Sequence, residues 1–106
     1  MADNIEKEHG VQIEVSSIQS VQAPPPTAGT APVVRALQKA IREVYGVSAR
    51  PVGIGGGTVA AVFRQAGYPA AVWCRIGHTA HQANENCLID NMIGNAKVYA
   101  HLFMQD

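Results

Sequence analysis

"PAAVWCRIGHTAHQANEN", residues Pro69 to Asn86, is the stretch on which the fold turns. Its first six residues, Pro69 to Cys74, are apolar without alternation, the pattern of a strand covered on both faces. From Gly77 to Asn86 the character reverses: two histidines, His78 and His81, stand with amides and a carboxylate and little apolar bulk. In open α/β sheets ligands collect beyond the carboxyl ends of the strands, where loops converge and helix N-termini point their amide groups outward. A core strand that empties into such a loop puts both histidines at the ligand-binding end of a sheet.

Helical stripes flank this stretch on both sides. Downstream, Leu88, Ile89, Met92, Ile93, Ala96, Tyr99 and Phe103 recur at helical spacing and define a long terminal helix. One of Asn84, Glu85 and Asn86 would cap it, and Glu85 suits its positive end. Upstream, Val59, Val62, Phe63 and Ala66 give a shorter helix ended by Gly67, entered through "GIGGGT" from a short strand around Ser48 to Val52. The clearest helix opens at Thr30 and Pro32, carries Val33, Leu37, Ile41 and Val44 to Tyr45 on one face, and stops at Gly46. Ahead of it, "QAPPPTAGTAP" has three consecutive prolines, which remove three backbone donors and stiffen the connection into a hinge. Val11, Ile13 and Val15 alternate with polar neighbours as a half-buried strand, and Asn4 to His9 form a short helix closed by Gly10. Strands alternating with helices imply an α/β class: a small, largely parallel sheet with packed helices.

Composition narrows the function classes. At 106 residues the chain is one small unit, with 47% hydrophobic residues, 15% charged residues and equal numbers of acids and bases. Bulk charge therefore gives no footing for nucleic acid. No apolar run reaches the ~20 residues that span a bilayer, and the polar opening lacks a signal peptide, so no membrane partner and a cytoplasmic location are expected. Cys74 and Cys87 fit neither a zinc ribbon nor a redox pair and are expected as buried free thiols.

Two segments could carry chemistry. "GIGGGT" leaves a strand and opens a helix, so its backbone can either make a tight turn or approach a ligand closely. It lacks the lysine of a phosphate-binding loop, which sets a nucleotide-binding role aside. His78 and His81 are metal-competent when a neighbouring acceptor orients the ring, yet zinc wants at least three protein ligands, and His9 and His101 sit in distant elements. Both histidines are equally readable as solvated loop residues.

Taken together, "GIGGGTVAAVF", "AGYPAAVW" and "AHQANE" followed by a terminal helix resemble the C-terminal part of the zinc metallohydrolase superfamily. That superfamily includes acetylornithine deacetylase, succinyl-diaminopimelate desuccinylase, aminoacylase and carboxypeptidase-G-type enzymes. The resemblance implies a catalytic α/β domain interrupted by a ferredoxin-like lid through which many members dimerise. On this sequence it makes residues 1–22 a remnant of the lid, 23–31 the proline-rich hinge, and 32–106 the C-terminal portion of the catalytic domain. His81 matches a histidine that binds one of two zinc ions, whereas His78 matches no ligand position. Gly55, Gly56, Gly57 and Thr58 match a substrate-side loop, and Asn84 and Glu85 would support the metal ligand or cap the helix.

The resemblance also marks what is missing. Members often continue the glycine loop with an acidic residue and an arginine, where this sequence has Val59, Ala60, Ala61 and Val62, and Arg64 falls two positions late. The remaining zinc ligands and the glutamate general base belong upstream of the lid, so no catalytic base is expected in this sequence. The implied parent cleaves N-acyl amino acids or small peptides through a zinc-bound water, and the 106 residues alone would be inactive. The alternative is a stand-alone binding or oligomerisation module that kept the fold fragment without catalysis. A homo-oligomer is expected in either case, because an unpaired strand at Val11 to Val21 invites pairing with a second copy.

Overall fold

The structure is a computed structural model that describes residues 2–54 and 56–105. Among the described residues four helices follow in chain order: α1 (Ala2–His9), α2 (Pro32–Tyr45), α3 (Ala60–Gln65) and α4 (Ile89–Phe103). Helix α2 begins as its sequence dictates, with Pro32 in the first turn, where a missing N–H costs nothing. Ala31 takes the N-cap position and offers no side-chain cap, so Thr30 does not start the helix in the way its residue type suggests. At the other end Gly46 adopts φ 66°, and its N–H donates to the Arg42 carbonyl at 2.8 Å. That left-handed residue is a glycine because a Cβ there would meet its own carbonyl.

The core is the seam between α2 and α4. Leu37, Ala40 and Ile41 of α2 bury against Val98 of α4, with Val44, Tyr45, Ala49, Trp73 and Leu102 packed around them. Ala40 and Val98 are fully inaccessible, which marks the closest approach of the two helices. Tyr45 reaches across to Gly94: a Cβ on that glycine would collide with the Tyr45 hydroxyl and sit 2.9 Å from its Cζ. Trp73 stands between two tyrosines, its centroid 6.0 Å from Tyr45 and 6.3 Å from Tyr99, both in tilted geometries favoured by ring quadrupoles.

One expectation needs correction. Cys74 and Cys87 are exposed, not buried, because the segments that carry them have no layer above them. The face of α4 that meets α2 is built from Asn91, Gly94 and Val98, whereas Leu88, Ile89, Met92, Ile93 and Phe103 of the apolar stripe face outward, Phe103 at 83% exposure. Small residues on one side let the helices approach, and the larger apolar side is left without a neighbour.

Among the described residues there is no β-ladder, so the segments expected as strands, around Val11 to Val15, Ser48 to Val52 and Pro69 to Cys74, stand unpaired with one another. Their side chains are correspondingly open, with Val15 at 79%, Val52 at 67% and Val72 at 60% exposure. The radius of gyration is 19.6 Å, against about 13 Å for a compact 100-residue domain. Among the described residues six hydrophobic ones are buried, which is a small core for this length.

Gly94 gives a direct check of the helix seam. An alanine inside a helix ordinarily stabilises by about 1 kcal/mol over glycine. Here Gly94→Ala is expected to destabilise by about 1–3 kcal/mol in urea titrations, because the added methyl drives into the Tyr45 ring. The Tyr45→Phe background should recover part of that loss, since the colliding hydroxyl is buried without a hydrogen-bond partner. A stabilising Gly94→Ala would place the seam elsewhere.

Candidate functional site

The site region starts where Trp73, Cys74 and Arg75 dock on α4. Tyr99 donates its hydroxyl to the Trp73 carbonyl at 2.7 Å. Asn95 accepts the Arg75 N–H at 3.0 Å and donates through Nδ2 to the Arg75 carbonyl and to Cys74 Sγ, both at 3.2 Å. The Arg75 guanidinium lies 5.2 Å from the Tyr45 ring centroid, a cation–π contact that ties the same residue to α2. Across the segment, Thr27 at the end of the proline run donates to the Ala70 carbonyl at 2.7 Å and accepts the Ala70 N–H at 3.0 Å.

Residues 78–84 then form a turn whose base is closed by a third clasp. Thr79 Oγ1 donates to the Asn86 carbonyl at 2.9 Å and accepts the Asn86 N–H at 3.2 Å. Within it, Gln82 donates its N–H to the Thr79 carbonyl at 3.2 Å and its side-chain amide to the His78 carbonyl at 2.9 Å. His81 sits in the left-handed region at φ 62° and donates its N–H to Glu85 Oε2 at 3.3 Å. Asn84 shares the left-handed conformation at φ 60°, which asparagine tolerates better than most residues. A side chain in that region carries a strain of roughly 1–2 kcal/mol, which at His81 is held by the surrounding hydrogen bonds. The His81 imidazole is exposed and makes no hydrogen bond to the described residues.

Glu85 acts on the backbone of His81 and leaves the α4 N-cap position to Leu88, so neither Asn84 nor Glu85 caps that helix. In the glycine loop, Gly55 lies outside the described residues, while Gly56 and Gly57 are exposed with open space where a Cβ would stand. Thr58 is half-buried, and its carbonyl accepts the Ala61 N–H at 2.9 Å as α3 begins. Two open hollows of about 310 and 270 Å³ lie elsewhere, one along Arg35, Lys39 and Arg42 of α2 and the other between Pro25, Arg64 and Tyr68. Neither is lined by His81 or the glycine loop.

The model of peptidase family M20/M25/M40 matches residues 4–105. The chain belongs to peptidase family M20/M25/M40. This M20-family sequence is 37% identical over 93 residues to an uncharacterized metallohydrolase of Methanocaldococcus jannaschii, covering 87% of this chain and 23% of that protein. It is 48% identical over 67 residues to an uncharacterized metallohydrolase of Methanococcus maripaludis, covering 63% of this chain and 16% of the relative. The chain thus spans less than a quarter of the length of these curated relatives. No solved structure matches it.

Family membership implies a metal, and the residues were tested for one. Among the described residues no three of His, Cys, Asp and Glu gather closely enough to hold an ion. His81 is one donor among the described residues, with an exposed imidazole. What sequence reasoning missed is the set of clasps made by Thr27, Thr79 and Asn95. The one signal for Asn95 was its place inside a helix, where asparagine is a poor helix former and calls for a reason to be there.

The strain at His81 can be read out directly. His81→Gly should be more stable than His81→Ala by about 1 kcal/mol in chemical denaturation, since only glycine adopts φ 62° without steric cost. Equal stability of the two variants would mean the turn is not left-handed at this position.

Proposed function

We propose that this sequence is the C-terminal portion of a zinc-dependent amidohydrolase of the M20 family that cleaves N-acyl amino acids or small peptides. In this reading His81 is one metal ligand, Gly55 to Thr58 form a wall against the substrate, and the other ligands and the general base come from polypeptide outside this sequence. Glu85 fixes the His81 backbone, and Asn84 supplies the second left-handed residue of the turn. The observation that carries the reading is the pairing of the family match over residues 4–105 with a strained, exposed and unengaged imidazole at position 81. Strained backbone concentrates where side chains must be aimed.

The uncovered apolar surface supports the same reading. The segments around Val11 to Val15, Ser48 to Val52 and Pro69 to Cys74 are strands of an α/β sheet completed by the rest of the longer chain, and the outward stripe of α4 packs within it. Residues 1–22 belong to a lid and 23–31 to the hinge between lid and catalytic domain. The lid strand pairs with a second copy, making a homo-oligomer, and the protein works in the cytoplasm. Among the described residues no helix is long and apolar enough to cross a membrane.

The test uses the longer protein that carries this sequence. Loaded with zinc, it is expected to release amino acids from N-acyl amino acids or dipeptides. His81→Ala should lower kcat by about 100-fold or more, beyond the 10–100-fold typical of losing an outer-shell partner. His81→Ala with full activity and full zinc content would remove the imidazole from the site.

A further inference from the structure

The geometry points to Asn95 as a positioning residue that sets the entry of the His81 turn. Its side chain occupies one whole peptide edge: Oδ1 takes the Arg75 N–H, one Nδ2 hydrogen goes to the Arg75 carbonyl, and the other goes to Cys74 Sγ. A carboxamide is the only side-chain group that offers an acceptor and donors in this arrangement, so it does what a neighbouring strand would do for that residue. Aspartate would keep the acceptor and set a carboxylate against a carbonyl. Leucine would keep the volume and the helix and offer neither group.

The clasp falls at a decisive place. Asn95 of α4 holds the Arg75 backbone and Tyr45 of α2 stacks against its guanidinium, so contacts from both core helices converge on one residue. Beyond it come Ile76 and Gly77, and then the turn that Thr79 closes on Asn86. Asn86 in turn leads within three residues into α4, the helix that carries Asn95. Residues 75–95 therefore form a closed circuit fixed at one point by Asn95 and at another by Thr79. Loosening Asn95 frees the upstream arm of the turn while leaving the helix seam intact. Tyr99 holds Trp73, two residues farther back, and does not touch the circuit.

The link from this clasp to metal binding rests on the His81 reading given above, and the experiment separates the two. Hydrogen exchange is measured on peptides covering residues 77–86 in the metal-free longer protein, comparing Asn95→Leu, Asn95→Asp and the control Tyr99→Phe. Asn95→Leu is expected to speed exchange across the turn by about 10-fold or more, with Asn95→Asp intermediate because it retains one of the three bonds. Tyr99→Phe should lower overall stability without changing exchange at 77–86. Zinc affinity, measured by chelator competition, should fall about 10–100-fold for Asn95→Leu and stay constant for Tyr99→Phe. Unchanged exchange at 77–86 in the Asn95 variants, or an equal effect from Tyr99→Phe, overturns the positioning role. A looser turn in a protein that never bound zinc leaves Asn95 in its role and removes His81 from the metal instead.

Discussion

In a sheet a neighbouring strand bonds both the N–H and the C=O of a peptide unit, and in this chain side chains supply the pair where such a strand would otherwise stand. Thr27 does so for Ala70, Asn95 for Arg75 and Thr79 for Asn86, each with one side chain bonded to both groups of one residue. Everything between Pro69 and Asn86 depends on these contacts. They hold an apolar segment against α4, carry the chain out of the core, and close the turn that presents His81. Trp73, packed between Tyr45 and Tyr99 and bonded through its carbonyl to the Tyr99 hydroxyl, is the other tie of that stretch to the helix seam.

The seam itself is narrow. Helices α2 and α4 meet through small residues, with Gly94 making room for Tyr45 and Ala40 and Val98 fully enclosed. On the far side of α4, Ile89 is 72% and Phe103 83% exposed, and along the opening segment Ile18 reaches 98%. Apolar surface on this scale is unusual for a free-standing unit and ordinary for a piece cut from a larger core. The relatives are several times longer than this chain, which agrees with that proportion.

The helices were legible because their information is local. Val33, Leu37, Ile41 and Val44 share one face, Pro32 opens and Gly46 closes, and these rules act within a few residues. The strands follow another logic: alternation at Val11, Ile13 and Val15 states that a segment can pair, but pairing needs a partner that the local pattern does not contain. The facing of α4 follows the same logic. Asn91, Gly94 and Val98 line its buried side, and the large apolar residues of the stripe are exposed. At the site, the motif "AHQANE" marked the turn, but nothing in it foretold the left-handed backbone of His81 or the bond from its N–H to Glu85. The clasps join residues up to 43 positions apart, far beyond the reach of any periodicity.

On the proposed reading, a zinc-bound crystal structure of a longer protein carrying this sequence tests the central claim most directly. The expected result has a His81 ring nitrogen about 2.0–2.1 Å from a zinc ion, with Pro69 to Cys74 paired along the edge opposite Tyr99 and Asn95. Zinc held entirely by other residues, with His81 turned to solvent and that segment still unpaired, would contradict the account.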